Sequence, residues 1–142
     1  MAETAPLWPS FTVHGAGDIA AVVDTAADLG ASVRILSAPG ASASLGPAWF
    51  ARAVKAPLAR ARACDVTVQA FLDCADHAGE AMAALREPVP GVIFTGAPDA
   101  ADKLAAIASA QGVAFRTDRP VSHDLAGCSD PAAAVRAHLV AA

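Results

Sequence analysis

Tyrosine is missing from this sequence of 142 residues, and all aromatic residues together make up only 5% of it. Charged residues are also few, at 17%, whereas hydrophobic residues reach 55%. A chain this apolar is not disordered. Much of its hydrophobic content is alanine, which favours helix but buries little area per residue. We therefore expect the core to depend on Val, Ile, Leu and Phe side chains in strands.

Basic residues are scarce as well, because Lys and Arg number 10 against 14 Asp and Glu, which gives a formal net charge of −4. No broad basic surface is available for a phosphate backbone, so we expect no nucleic-acid binding. The three cysteines, Cys64, Cys74 and Cys128, form no CxxC pair. Their spacing argues against a disulfide framework and a structural zinc site. We expect a reducing, cytoplasmic location with no metal and no cofactor.

Long hydrophobic runs are also lacking. The apolar stretches are interrupted by charge within about ten residues, whereas a bilayer requires ~20, so we expect no membrane span. The N-terminus carries Glu3 and two prolines and lacks the pattern of a signal peptide. The length predicts a single α/β domain over residues 1–142, with an irregular lead-in over residues 1–9.

Five short apolar runs alternate with helical patterns along the rest of the chain. The predicted strands are Ser10–His14, Ser32–Leu36, Val66–Leu72, Gly91–Phe94 and Val113–Arg116. The predicted helices begin near Asp18, Pro47, Asp76, Asp99 and Asp130-Pro131, where the aspartates serve as N-caps. Pro57 lies inside the second helical pattern and predicts a kink or a break there.

Strands that alternate with helices pair in parallel through right-handed crossovers. We therefore predict a three-layer, doubly wound domain with a mostly parallel five-stranded sheet. Its expected strand order is the flavodoxin-like 2-1-3-4-5. A partial barrel, or a sheet completed by a partner subunit, is the alternative.

Ligands of an open parallel sheet bind beyond the carboxyl ends of its strands. The sequence places glycines, hydroxyls and a histidine in the turns at that edge. The candidate ligand-binding residues there are Gly15, Gly17, Ser37, Gly40, Ser42, Ser44, His77, Thr95 and Gly96.

Two of these turns have competing interpretations. The first, His14 to Asp18, resembles the start of a glycine-rich phosphate turn but lacks the third glycine, so a simple tight turn also accounts for it. The second, Ser37 to Gly46, places small residues and hydroxyls before a helix whose positive end would face an anion bound there. It lacks the GK[ST] of a P-loop. A small-anion or carboxylate site and a ligand-free loop therefore both remain open.

The catalytic candidates are Asp73 and Cys74, after the third strand, together with His14. Cys74 near a helix start could have a lowered pKa and act as a nucleophile, with a histidine as its base. Asp73 could be a lone general base. A divalent metal could also bind at Asp73, Asp76 and His77, although adjacent residues at a helix start suit this poorly. In the simplest interpretation, Cys74 fills the core and Asp73 accepts backbone N–H groups.

The order of Asp73, Thr95 and Arg119-Pro120 after successive strands resembles that of response-regulator receiver domains. The resemblance implies an aspartate that accepts phosphate with the help of Mg²⁺. The acidic pair that holds Mg²⁺ in such domains is replaced by His14 and Gly15, and the lysine is replaced by an arginine. The resemblance is therefore limited to this order, and we assign no family from it.

Three functions remain open. We favour a small soluble domain, expected to be a homo-oligomer such as a homodimer, that binds a small polar or anionic molecule at the strand ends. The second is a small enzyme that uses Asp73, Cys74 or His14 at the same edge. The third is a protein-interaction or regulatory module without a ligand. Doubly wound domains host unrelated functions, so the predicted fold does not decide among them.

Overall fold

Six strands and six helices make up residues 8–141, the part of the chain that the computed structural model describes. The strands are β1 (Ser10–Val13), β2 (Val33–Ser37), β3 (Val68–Asp73), β4 (Gly91–Ile93), β5 (Ala114–Arg116) and β6 (His123–Asp124). The helices are α1 (Ala16–Leu29), α2 (Ala41–Ser44), α3 (Pro47–Ala63), α4 (Ala78–Leu85), α5 (Pro98–Gln111) and α6 (Pro131–Ala141). Of the lead-in predicted for residues 1–9, only Trp8 and Pro9 lie within the described residues.

All the strand pairs are parallel, and the strands follow the order β5-β4-β3-β2-β1-β6. The predicted α/β class with a parallel sheet is confirmed, with one strand more than expected. The expected order 2-1-3-4-5 is wrong. The chain moves one strand sideways at each crossover from β1 to β5, and then returns to the far side of β1.

The helices pack in the same order as the strands that they connect. Helix α6 contacts α1, α1 contacts α3, α3 contacts α4, and α4 contacts α5. Successive right-handed crossovers in one direction place their helices on one face of the sheet, as in a partial barrel. Within the described residues, no helix is long and apolar enough to cross a bilayer.

Side chains alternate between the two faces of the sheet. One face joins the helices in the main core, with strand residues such as Phe11, Ile35 and Leu72 fully buried. The opposite face, which we call the inner face, holds a separate apolar cluster of Leu36, Phe71 and Ile93. Buried polar residues flank that cluster, and they are Ser10, Thr12, Arg34 and Asp73. These buried polar side chains of the sheet therefore lie on its inner face.

Several element boundaries differ from those predicted. Of the four predicted N-caps, Asp130 accepts an N–H of the first turn of α6 at 3.1 Å. Helices α1, α4 and α5 instead begin after Gly15, His77 and Ala97, none of which forms a side-chain cap hydrogen bond. Helix α3 runs unbroken through Pro57. Both α2 and β6 lie in segments that the sequence predicts as loops.

Candidate ligand site at the strand ends

Four polar side chains meet at the carboxyl ends of β1 and β3, and we call them the strand-end cluster: Thr12, Asp73, Arg119 and Ser122. Arg119 donates through Nη1 to Asp73 Oδ2 at 2.8 Å and through Nη2 to Thr12 Oγ1 at 2.9 Å. The Thr12 and Ser122 hydroxyls are 2.6 Å apart. Arg119 and Ser122 belong to the segment that runs from β5 to β6, so this segment is tied to the strands by side-chain hydrogen bonds.

Asp73 ends β3 and is only 3% exposed. Its Oδ1 accepts the N–H of Ala75 at 2.7 Å and that of Gly40 at 3.1 Å, while Oδ2 accepts Arg119. Gly40 has a φ of 68°, a conformation that favours glycine, and this places its N–H toward the carboxylate. A carboxylate with three donors is a positioning group: it holds Arg119 and the turn after β2 in place.

His14 follows β1 and pairs with Asp124 of β6. Its Nε2 lies 2.5 Å from Asp124 Oδ1, and the His14 side chain is 37% exposed. The backbone N–H of His14 donates to Asp18 at 2.9 Å, which fixes the turn. The pKa of Asp124 is lowered, first by the N–H of Ala126 and then by the hydrogen bond from His14. The pair is thus a solvent-accessible histidine whose ring is oriented by a carboxylate, and histidine is the side chain that most often transfers protons in catalysis.

The surroundings of Cys74 do not support a nucleophile. The residue is fully buried, and its Sγ lies 3.8 Å from the carbonyl oxygen of Leu72. Burial raises the pKa of the Cys74 thiol to about 11, although a hydrogen bond with Ser42 opposes this effect. A neutral, inaccessible thiol lacks the reactivity of a thiolate, and Cys74 acts as a filler of the main core.

The serine-rich turn after β2 uses its hydroxyls within the protein. Ser37 donates to the carbonyl of Ala38 at 3.2 Å and also accepts the N–H of Asp73 at 2.9 Å. Ser42 donates to Glu80 at 3.1 Å, and Ser44 donates to a carbonyl of its own helix at 3.3 Å. Helix α2 lies within this segment, where the sequence predicts a loop. All three hydroxyls therefore donate to groups of the protein itself.

The remaining candidates lie at the same edge without joining the strand-end cluster. Gly15 precedes α1 in an extended conformation, and Gly17 lies in the first turn of that helix. His77 precedes α4, is exposed, and lies 3.4 Å from Asp76. Thr95 is exposed, and its N–H donates to Ala75. A Cβ on Gly96 would lie 2.4 Å from the Phe94 ring, so packing explains that glycine.

A metal centre has no support among residues 8–141. No group of three or more His, Cys, Asp or Glu side chains is placed there to hold an ion. The three residues considered for a metal, Asp73, Asp76 and His77, have separate roles, because Asp73 is buried with Arg119 and the other two are exposed.

Thr12, Ser122 and Asp124 are not among the candidate residues predicted from the sequence, where the Ser122-His123-Asp124 tripeptide is typical of a polar loop, and Arg119 enters only through its position after a strand. A signal for Thr12 was present, because Ser10, Thr12 and His14 alternate with Phe11 and Val13 along the first strand. This period of two predicts a polar inner face. No comparable signal exists for Asp124, since β6 has two residues and the contact between His14 and Asp124 bridges 110 positions.

Comparisons with known proteins give information about the fold but not about the candidate site. No protein-family model matches the sequence, and neither does any curated protein. Among solved structures, one match is described as "a putative fructose-1,6-biphosphate aldolase" from Coccidioides immitis. The TM-score is 0.60 at 19% identity, over 76% of this chain. This chain spans 44% of that neighbour's length, and at this identity the likeness supports the α/β fold alone.

Proposed function

We propose that this protein binds a small polar or anionic molecule at the carboxyl ends of β1, β3 and β6. The observation that carries the proposal is Arg119, which is held by Asp73 and Thr12 while its side chain stays 22% exposed. A guanidinium has five N–H donors in a fixed plane. One that is already fixed in place loses little freedom when its remaining donors bind a carboxylate or phosphate.

His14 and Ser122 give the proposed site its polar character. Ser122 contacts Thr12, which itself accepts a hydrogen bond from Arg119. His14 pairs with Asp124, whose pKa the charge on Arg119 helps to lower, so the two pairs are electrostatically coupled. A ligand at this edge would meet an imidazole, a hydroxyl and a guanidinium. Gly15 supports its approach because it has no side chain.

A thermal-shift screen with phosphate, sulfate and small carboxylates tests the proposal. Binding to the native state stabilises by about 2.7 kcal/mol at a hundredfold excess over Kd, which corresponds to several degrees for a domain of this size. We expect Arg119→Lys and His14→Ala to reduce the shift, because lysine keeps the charge without the planar fork. His77→Ala, at the same edge, is the matched control and keeps the shift.

Two outcomes contradict the proposal. One is a panel in which no anion raises the Tm of the wild-type protein, which would favour an interaction module without a ligand. The other is a shift that survives both Arg119→Lys and His14→Ala, which would place the bound anion elsewhere on the protein.

The His14–Asp124 pair supports an enzyme as the second candidate function. Cys74 is neutral and buried, and Asp73 is buried and paired with Arg119, so His14 is the candidate that is left for proton transfer. In this hypothesis Asp124 holds the ring and fixes its tautomer. Hydrolysis of p-nitrophenyl esters and phosphates is a direct test. Activity that is lost in His14→Ala and reduced in Asp124→Asn supports it, whereas activity unchanged in His14→Ala rejects it.

Aldol cleavage through a Schiff base is not part of the proposal. That chemistry requires a lysine amine at the site. The two lysines of the sequence, Lys55 and Lys103, are exposed on α3 and α5. The strand ends therefore offer no such amine, and the likeness to the Coccidioides immitis protein transfers the fold alone.

The expected homo-oligomer remains a prediction. Strand β5 forms one edge of the sheet and pairs only with β4 among the described strands. A second copy that pairs along β5 would extend the sheet. Light scattering after size-exclusion chromatography measures the state directly, and a monomer at about 100 μM would reject the prediction, since stable homodimers persist well below that concentration. The cytoplasmic location also stays a prediction.

A further inference from the structure

A groove of about 240 Å³ lies along α3, on the helix side of the sheet. Its apolar lining consists of Ala51, Val54, Leu58, Pro88 and Pro90. The first three residues belong to α3, and the two prolines lie in the segment between α4 and β4. The lining shares no residue with the strand-end cluster, so the groove is separate from the site of the proposed function.

The groove exists because the helix next to α3 is short. Helix α3 has 17 residues and α4 has 8, which correspond to lengths of about 25 Å and about 12 Å at 1.5 Å per residue. Helix α4 therefore covers only part of the side of α3 that faces it, and Pro88 and Pro90 form the wall beyond its end. Proline has a fixed φ and no N–H, so this wall is stiff and adds no backbone donor. The groove is thus preformed and apolar on both sides.

Apolar side chains also form the floor of the groove. Ala51 and Val54 are 7% and 1% exposed, and Leu58, one turn further along α3, is half-buried. Sites for small molecules are concave and mostly apolar, with a few polar groups that orient the ligand. A cavity of about 150 Å³ holds a benzene molecule, and drug-sized ligands need about 300 Å³ or more. The groove therefore has room for one ring or a short alkyl chain with a small polar head.

Two cations border this apolar surface, and they are Lys55 and Arg62. They lie about two turns apart on α3, so they share one side of the helix with Leu58 between them. Both side chains are exposed, and among residues 8–141 neither takes part in an ion pair or a side-chain hydrogen bond.

The described lining contains no carboxylate. Glu87, the residue before Pro88, is exposed and lies outside the lining. Helix α3 itself carries no acidic residue, and its ion pair with another element, between Arg60 and Asp24, joins it to α1. The charges of Lys55 and Arg62 therefore stay uncompensated beside an apolar surface. That combination is complementary to a ligand with an apolar body and an anionic head.

We infer that this groove binds a small amphiphilic carboxylate, whose ring or short alkyl chain lies on Val54 and Leu58 and whose carboxylate meets Lys55 and Arg62. Burial of the apolar body supplies the non-directional part of the affinity. Charge-assisted hydrogen bonds to the carboxylate supply the orientation. Lysine and arginine have long apolar stems, so both charged groups can reach one carboxylate above Leu58.

Nuclear magnetic resonance of the isotope-labelled full chain at pH 7 tests the inference. The probe is hydrocinnamate, which has a phenyl ring, two methylenes and a carboxylate. We expect saturable shifts of the backbone amides of α3 and of Val89, with a Kd of about 1 mM or tighter. The neutral amide of the same acid should bind about threefold more weakly or worse, because it lacks the charge. Acetate, which lacks the apolar body, should not saturate these shifts at about 10 mM.

Variants of the two cations test the charged part of the groove. Lys55→Gln and Arg62→Gln should each weaken hydrocinnamate binding by about threefold, and together by about tenfold or more. Arg52→Gln is the matched control, because Arg52 is exposed on the same helix but does not line the groove. It should keep the wild-type affinity.

Charge reversal makes the test robust. Lys55→Glu combined with Arg62→Glu should lose hydrocinnamate and instead bind phenylpropylammonium, a cation of similar shape, and a variant that merely misfolds does not gain a ligand. Arg119→Lys and His14→Ala change the strand-end site alone and should bind hydrocinnamate normally, so failure of the proposed function is distinguishable from failure of this inference. The inference is overturned if α3 amides do not shift in up to about 10 mM hydrocinnamate, or if the double glutamine variant keeps the wild-type affinity.

Discussion

At the scale of single residues, the three cysteines differ in environment although the sequence presents them alike. Cys64 is exposed, Cys128 is half-buried and Cys74 is fully buried. Thiolate formation controls reaction with disulfide reagents. We expect an aromatic disulfide reagent at pH 8 to modify Cys64 fastest and Cys74 only after unfolding, which peptide mass spectrometry can follow. Rapid modification of Cys74 in the native protein would contradict its placement.

The raised pKa of Cys74 also predicts a pH dependence of stability. The folded value is about 11 against an ordinary value of 9.0, so between these values the unfolded chain loses the proton while the folded protein keeps it. This contribution is intact below pH 9 and declines toward pH 11, by roughly 2–3 kcal/mol at 1.36 kcal/mol per pKa unit. Urea unfolding at several pH values should show a steeper alkaline decline in wild type than in Cys74→Ala. Parallel profiles would show that the thiol is not the cause.

The ion pairs offer a second comparison at this scale. Arg119 pairs with the buried Asp73, whereas Arg60 pairs with Asp24 where both side chains are about half exposed or more. Removing one partner of a buried pair leaves a charge without its counter-ion, so Arg119→Ala should cost about 3 kcal/mol of unfolding free energy. Arg60→Ala should change it by about 0.5 kcal/mol or less. Equal losses in urea unfolding would contradict this difference in burial.

At the scale of elements, the close packing of β4 against β3 depends on Gly91. A Cβ at this position would lie 2.7 Å from the carbonyl oxygen of Ala70 and 2.7 Å from the Phe71 ring. Gly91→Ala should therefore destabilise the protein by roughly 1–3 kcal/mol through overpacking. Gly79→Ala is the matched control: it lies in α4 with nothing within 4 Å of a Cβ, and alanine there should stabilise by about 0.5–1 kcal/mol. If this packing is correct, thermal unfolding should give a lower Tm for Gly91→Ala and a higher Tm for Gly79→Ala than for the wild-type protein.

The elements show which parts of the fold were predictable. Strands β1 to β5 follow runs of Val, Ile, Leu and Phe, and each lies within one or two residues of its predicted bounds. Strand β6 has two residues and no such run, so nothing local identifies it; its partner is β1, far away in sequence. Helix starts were less predictable, since Gly15, His77 and Ala97 precede helices without a side-chain cap.

At the scale of the whole molecule, the strand order was out of reach for local patterns. A right-handed crossover can place the next strand on either side of the preceding one, and the apolar runs do not determine which side that is. The candidate site depends on that order. Thr12 and Asp124 become neighbours only because β6 lies beside β1, and Arg119 reaches Asp73 only because its segment returns across the sheet. The sequence could thus predict the edge that holds the site, but not which side chains meet there.

The return of the chain from β5 to β6 leads to a prediction about the whole molecule. Arg119 and Ser122 hold this segment on Thr12 and Asp73, and β6 joins the sheet through bonds such as Leu125 N–H to the Thr12 carbonyl at 3.1 Å. Loss of these ties should let β6 and α6 open without unfolding β2 to β4, since local opening occurs where few contacts hold an element.

Hydrogen exchange with mass spectrometry measures this opening. We expect Arg119→Ala to speed exchange in residues 117–141 more than in β2 and β3. Gly91→Ala is the matched control. It lowers global stability through β4, which does not pair with β6, and should not speed exchange selectively in residues 117–141. Equal acceleration throughout the protein in both variants would mean that β6 and α6 unfold only together with the rest. Selective acceleration in Arg119→Ala would show instead that Arg119 holds residues 117–141 onto the sheet.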